Sequence, residues 1–175
     1  AIGQNNIKRL MAYSSIGHMG YILAGLSTGT NAGVQSTIIY LVIYLLMNLA
    51  AFGCIFMMKR ENLYYEDINE LSGLSKNHPI LALSFLIILF SLAGIPPLAG
   101  FFAKFYIFMA VIEAGMYALA IIGLLTTVIS SFYYLRIIKI IYFDKAKKPF
   151  EISYDWGLKI SLIFSTIVVL IYFIN

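Results

Sequence analysis

What most restricts the folds open to this chain is one lysine. Lys104 sits in Gly94-Ile95-Pro96-Pro97-Leu98-Ala99-Gly100-Phe101-Phe102-Ala103-Lys104-Phe105-Tyr106, with apolar sequence on both sides. If a helix starts near Pro97 at a membrane face, Lys104 lies about 10 Å deeper at ~1.5 Å per residue. The hydrocarbon half-thickness is about 15 Å. An ammonium group there costs at least ~2.5–3.5 kcal/mol on insertion scales. A cation held at that cost points to an ion or proton pathway. The alternative is a snorkelling lysine whose stem lies in lipid and whose head reaches the surface.

The surrounding composition decides the setting. The chain is 61% hydrophobic and 11% charged, where a soluble domain averages ~25% charged residues. The apolar runs suit membrane helices rather than barrel strands, so the fold class is an all-α integral membrane protein. The net charge of +4 is spread over loops and has no nucleic-acid character. The single cysteine, Cys54, lies in an apolar run, which excludes a disulfide framework and a cysteine metal site. It reads as a small buried hydrophobe. The start, Ala1-Ile2-Gly3-Gln4, is neither an initiator methionine nor a signal peptide. A fragment, a processed product or a longer chain is expected. Abundant Ile, Tyr, Phe, Asn and Lys accompany A+T-rich genomes, such as those of organelles and reduced bacteria.

Six apolar segments follow from the hydropathy: Leu10 to Leu26, Ser36 to Met58, Ile80 to Ile95, Leu98 to Ile112, Met116 to Phe143 and Leu158 to Ile174. Several reach the ~20 residues that span a bilayer. The third and fourth are short and joined only by Pro96-Pro97. That junction reads as a tight reversal at one face, with a kinked re-entrant pair as the other reading. Six crossings would put the Asp144–Asp155 loop opposite Lys8, Arg9 and the polar stretch Lys59 to His78, which includes Arg60 and Glu61. Basic residues would then nearly balance across the membrane, and the positive-inside rule would give no firm orientation. Lys145, Lys147 and Lys148 tilt their loop towards the inside.

Polar side chains at membrane depth are the other candidates. Tyr13, Ser14, Ser15 and His18 lie in the first segment, and Ser14, His18 and Gly25 share one helical stripe. A histidine near neutral pKa can relay protons, although interhelical hydrogen bonding is the commoner use of such a residue. Gly17 and Gly20 read as close-packing positions. Asn48 has two readings: part of a hydrated track, or packing glue between helices. Glu113 lies about 13 Å beyond Lys104 along a helix at ~1.5 Å per residue, which argues against direct pairing and for an interfacial carboxylate. Arg136 and Lys139 read as snorkelling anchors, and Tyr154 and Trp156 as an aromatic belt. No nucleotide loop, metal-ligand cluster, haem motif or nucleophile triad is visible. The chemistry left to such a chain is the movement of charge.

Two stretches carry a family resemblance: Asn6-Ile7-Lys8-Arg9-Leu10-Met11-Ala12-Tyr13-Ser14-Ser15-Ile16-Gly17-His18-Met19-Gly20-Tyr21, and Leu92 through Tyr106. Together they resemble the antiporter-like membrane subunits of respiratory complex I. Asp67-Ile68-Asn69-Glu70-Leu71-Ser72-Gly73-Leu74 and Ser131-Phe132-Tyr133-Tyr134-Leu135-Arg136 narrow the resemblance to the subunit N group, called NADH dehydrogenase subunit 2 in mitochondria.

The resemblance implies a second inverted five-helix repeat over residues 1–143, with one helix discontinuous. A polar loop at 144–155 and a terminal transmembrane helix at 156–175 would follow it. It implies that Lys104 is the proton-translocating lysine of that broken helix, with Tyr13, Ser14, Ser15 and His18 matching the start of the repeat. It also implies a role in NADH:ubiquinone oxidoreductase without a redox centre or metal in this chain. FMN, iron–sulfur clusters and quinone would reside in other subunits. The implied partners are sister antiporter-like subunits, a second chain carrying the missing first repeat, and the lipid bilayer. The implied location is the mitochondrial inner membrane or, alternatively, a bacterial plasma membrane. Two rival functions remain: a cation/proton antiporter subunit, and a structural half-subunit that carries no protons.

Overall fold

The computed structural model describes residues 1–59, 65–152 and 156–172. Arg60, Glu61, Tyr154, Asp155 and Ile174 of the sequence reading lie outside the described residues. Seven α-helices appear among them: α1 (Ile7–Ser27), α2 (Asn31–Met57), α3 (Leu74–Asn77), α4 (Pro79–Ala93), α5 (Ala99–Glu113), α6 (Tyr117–Phe143) and α7 (Trp156–Ile171). The six apolar segments thus become helices within a few residues of their expected ends, and the four-residue α3 is additional. Two-residue strands, β1 (Met58–Lys59) and β2 (Glu151–Ile152), pair antiparallel.

Local signals explain the boundaries. Asn6 caps α1 by accepting from Arg9 N–H at 3.0 Å, and Thr30 caps α2 by accepting from Gly33 N–H at 3.0 Å. Pro79 occupies the first turn of α4, where its missing N–H costs nothing. Gly94, at φ +87°, ends α4 in the left-handed conformation that glycine tolerates. The N–H groups of Gly94 and Ile95 both return to Phe90 O, at 3.1 and 3.0 Å. The helices α2 and α6, 27 residues each, are long and apolar enough to cross a membrane, at about 40 Å by the helical rise.

The Pro96-Pro97 junction is not a reversal. Along α2, Met57 borders the His78–Pro79 start of α4, Met47 Sδ receives Ser91 Oγ–H at 3.0 Å, and Thr37 faces Ile107 of α5 across Gly25. Along α6, Ile141 O accepts from Ser75, Ser131 donates to Ala93 O, and Gly123 lies against Phe108. Both uninterrupted helices therefore meet α4 and then α5 in steady order. The two short helices form one traverse that is broken in the middle. The peptide between the prolines is cis. The described chain makes five traverses: α1, α2, α4 with α5, α6 and α7. The expected count of six crossings is corrected accordingly.

That correction moves a loop. The 144–150 segment lies on the same face as Lys8, Arg9 and 65–78, not opposite them. Lys147 pairs with Glu70 at 2.7 Å, its N–H reaches Ser72 O at 3.2 Å, and His78 Nε2 meets Phe150 O at 2.9 Å. Lys8 and Asn6 close the same face on Glu66, at 2.9 and 2.5 Å. The Lys8 ammonium and the Asn6 amide beside it hold the Glu66 carboxyl below its usual range. Arg136, expected to snorkel, donates to Asn5 Oδ1 at 2.8 Å and Ile2 O at 3.3 Å, which fastens the N-terminal residues. The opposite face carries the short links 28–30 and 114–116, which hold no Lys or Arg.

Gly17 and Gly20 also depart from expectation. Nothing lies within 4 Å of a Cβ at either position, so neither permits close packing inside this chain. Gly100 does. A Cβ there would overlap the Ser91 carbonyl, because the first turn of α5 lies directly against the last turn of α4. Gly100→Ala should therefore destabilise the fold by ~1–3 kcal/mol through overpacking. Thermal unfolding in mild detergent checks this, and a variant as stable as the parent would contradict the close approach.

Candidate functional site

The broken traverse creates the chemistry of its own centre. A helix ends with carbonyl groups that no N–H of its own can reach. In α4 those of Leu92 and Ala93 lie among buried side chains, well inside the traverse. Lys104, one turn into α5, folds back onto them: Nζ donates to Leu92 O at 2.9 Å and to Ala93 O at 3.3 Å. Its charge also sits at the negative end of the α4 dipole. The ammonium group lies 5.1 Å from the centre of the Tyr21 ring, within range of a cation–π contact. Lys104 is 4% exposed, so the snorkelling alternative does not hold within this chain. A Cβ at Gly94 would press on Lys104 Cδ and Nζ at 3.1 and 3.3 Å, so that glycine makes room for the lysine stem.

A second cluster lies beside it. The stripe of α1 buries Ser14 and His18, as their spacing requires. His18 Nδ1 meets Tyr40 Oη of α2 at 2.6 Å, and its Nε2 meets Tyr134 Oη of α6 at 3.0 Å. Tyr134 Oη also bonds Ser14 Oγ. The Tyr44 ring stacks on the imidazole with centroids 4.7 Å apart. Tyr21 packs edge-on against His18 at 6.1 Å and hydrogen-bonds Thr127 at 2.8 Å. The Tyr21 ring thus contacts both the histidine and Lys104. Ser131 joins the two clusters by donating to the same Ala93 carbonyl that Lys104 uses, at 3.3 Å.

Not every sequence candidate belongs here. Tyr13 is exposed, but it lines a groove of about 450 Å³ between α1 and α6 that also reaches Ser14 and His18. Ser15 is half-buried and donates to Ala12 O at 2.6 Å. Asn48 lies on an apolar outer face with Met19, Leu45 and Leu49. Glu113 is exposed at the far end of α5. Tyr40 and Thr127 were not named by the sequence reading, and Tyr21, Ser131 and Tyr134 entered it only within the family motifs, without a role in the site. The spacing of Thr127, Ser131 and Tyr134 on one face of α6 was the signal available for three of them.

Comparison with known proteins follows this geometry. Residues 1–130 match the family described as NADH:quinone oxidoreductase/Mrp antiporter, TM. The chain belongs to this family. Similar curated members are the NADH-quinone oxidoreductase subunit N proteins of Pelagibacter ubique and Rhodospirillum rubrum. The first is 70% identical over 99% of this chain and 37% of its own length. The second is 51% identical over 99% of this chain and 36% of its own length. The chain spans about a third of the length of the curated relatives it matches. A chain of respiratory complex I from Thermus thermophilus superimposes with a TM-score of 0.84 at 31% identity, covering 99% of this chain and 39% of that one. A chain of the Mrp complex from a Dietzia species gives 0.75 at 29% identity, covering 85% and 27%.

In this member of the family one buried polar atom stands apart. Thr37 Oγ1 has no hydrogen-bond partner among the described residues. An unpaired buried hydroxyl costs ~1–3 kcal/mol in protein data, whereas an apolar isostere carries no such cost. Thr37→Val should leave stability unchanged or raise it by up to about 2 kcal/mol. Thermal unfolding checks this, and a clear loss of stability would show that the hydroxyl has a partner in the assembly.

Proposed function

We propose that this chain is the C-terminal part of subunit N of a proton-translocating NADH:quinone oxidoreductase. Residues 1–143 would form its second antiporter-like repeat, 144–155 a polar loop and 156–175 the closing helix. The observation that carries the reading is Lys104, buried in a broken traverse and bonded to the carbonyl end of α4. That position lets one group hold or release a proton at membrane depth, where gain or loss of its charge changes the local energy by kilocalories. Lys104 would carry the translocated proton, or couple to it, with Ser14 and His18 as nearby polar groups. Tyr13, Asn48 and Glu113 stand outside the cluster, and Ser15 touches it through the Tyr44 hydroxyl.

The relatives support complex I over the exchanger. The curated relatives named subunit N reach 70% identity over almost the whole chain, and the complex I chain superimposes with a TM-score of 0.84 over 99% of this chain, against 0.75 over 85% for the Mrp chain. The structural half-subunit without proton transport fits poorly, because it is best served by a Lys104 that faces lipid. FMN, iron–sulfur clusters and quinone would reside in other subunits. The partners would be sister antiporter-like subunits and the polypeptide that supplies the remaining length of the relatives. Those relatives are bacterial proteins, so the mitochondrial inner membrane finds no support, and the bacterial plasma membrane is the reading they favour.

The fold also supplies an orientation. Lys8, Arg9, Lys59, Lys76, Lys145, Lys147 and Lys148 gather on one face, so that face would be cytoplasmic. Lys145→Cys should react with a membrane-impermeant maleimide only from the cytoplasmic side, and Tyr117→Cys only from the other. The reverse pattern would invert the assignment.

Lys104→Ala in the assembled enzyme should cut proton pumping and coupled quinone reduction roughly tenfold or more, the scale of losing a proton-transfer group. Acidification of proteoliposomes driven by NADH measures it. Unchanged pumping would remove Lys104 from the mechanism. Purification without flavin and iron–sulfur subunits would favour the cation/proton exchanger.

A further inference from the structure

At the charged face, the start of α4 and the first two turns of α7 leave an open slot between them, about 390 Å³ in volume. That size falls within the ~300–1,000 Å³ of ligand sites. Its two ends differ in chemistry. The mouth holds Asn77, His78 and Lys159, and the walls below are Ile80, Leu81, Leu162 and Ile163. No Asp or Glu lines it among the described residues. The mouth is held from behind: Asn77 Nδ2 donates to Lys147 O at 3.1 Å, and His78 Nε2 donates to Phe150 O at 2.9 Å. Lys159 lies one turn inside α7 from Trp156, whose ring is 76% exposed and 5.6 Å from the ammonium group. An exposed tryptophan at the end of an apolar helix marks the membrane interface, so Lys159 stands at headgroup level. Ile80 and Ile163, both exposed, open the slot sideways to the bilayer.

We infer that this slot binds one anionic phospholipid. Its phosphate would lie between Lys159 and the Asn77–His78 corner, and the upper part of one acyl chain would run along Leu81, Leu162 and Ile163. Basic pockets between membrane helices on the cytoplasmic side recur as sites for anionic headgroups, and this is the face assigned above as cytoplasmic. Other ligands complement the slot less well. A soluble anion would leave the apolar walls bare, and a zwitterionic lipid would bring a second cation towards Lys159. An ammonium group has three donors, so Lys159 can serve a phosphate beside its contacts within the chain. The bound lipid would join α7 to α4 at the level where the 144–150 segment folds back on Asn77 and His78. Such a site requires the membrane-spanning fold and not a proton-carrying Lys104.

The test uses the intact complex in phosphatidylcholine proteoliposomes that contain a small fraction of phosphatidylglycerol with a photoreactive diazirine high in one acyl chain. After illumination, peptide mass spectrometry locates the label. It should fall on residues 80–84 of α4 and 160–163 of α7. A phosphatidylcholine probe with the same diazirine should label these residues roughly fivefold less, the scale of one basic residue's attraction for anionic lipid. Lys159→Gln should bring phosphatidylglycerol down to the phosphatidylcholine level. Lys145→Gln, on the same face but outside the slot, should leave it at the parental level. Ile163→Trp keeps the charge and fills the slot, so it should lower labelling by both probes. Equal labelling by the two probes in the parent, or parental labelling in Lys159→Gln, would overturn the site. So would a parent complex labelled on neither segment, the result expected if a neighbouring subunit covers the slot. An equal loss in Lys145→Gln would trace the attraction to the whole charged face and overturn a site at Lys159. If Lys159→Gln fails to assemble, Ile163→Trp decides: loss of labelling supports the slot and parental labelling overturns it. Labelling needs no turnover, so Lys104→Ala should label as the parent does whether or not it pumps, and the two readings fail separately.

Discussion

The structure depends on how a helix can be broken inside a membrane. At Gly94–Leu98 the backbone leaves its helical ladder where no bulk water can take over the freed groups. Each is met from within: Gly94 and Ile95 N–H return to Phe90, Ser91 Oγ receives Gly100 N–H at 2.9 Å, and Lys104 serves Leu92 and Ala93. The lysine is thus both a structural cap and a charge placed at depth. These roles share one energy, because a carbonyl end left without its cation is costly and a cation without its carbonyls is costlier. Any change in the protonation of Lys104 is therefore felt by the break itself.

The helices around the break explain why the polar cluster sits where it does. α1 supplies Ser14, His18 and Tyr21, α2 supplies Tyr40 and Tyr44, and α6 supplies Thr127, Ser131 and Tyr134. No single helix is strongly polar, yet the crossing of three brings their few polar side chains to one depth. Each residue satisfies another, which is the condition under which polar groups persist in a low-dielectric interior. The flanking surfaces stay apolar, with Leu41, Leu45 and Leu49 exposed on α2 and Leu125, Val128 and Ile129 on α6.

Much of the fold was legible in the sequence. Apolar run length located all six long helices, and the 3.6-residue period placed Ser14, His18 and Gly25 on a buried stripe. Lys104 announced itself by its cost. The number of traverses was not legible, because two short helices joined by Pro96-Pro97 read alike as a hairpin or as one interrupted helix. Only the order of contacts along α2 and α6 separates the two, and that order is a tertiary fact. The loop that carries Lys147 was misplaced as a direct result. Tyr40 was not named and Tyr134 was given no role for another reason: in an apolar helix a tyrosine looks like any core aromatic until the position of its hydroxyl is known.

The gathering of charged loops on one face has a consequence for biosynthesis. Under the proposed orientation, the segments that must be carried across the bilayer between helices are the short links at 28–30 and 114–116. The first has no charged residue, and beside the second stands only Glu113. The helices α1 and α2 can enter as one hairpin, and the broken traverse with α6 as another, while the lysine-rich segments remain on the ribosomal side. The work of translocation then falls almost wholly on Lys104. Its buried ammonium must wait for the carbonyls of Leu92 and Ala93, and these arrive in the same hairpin.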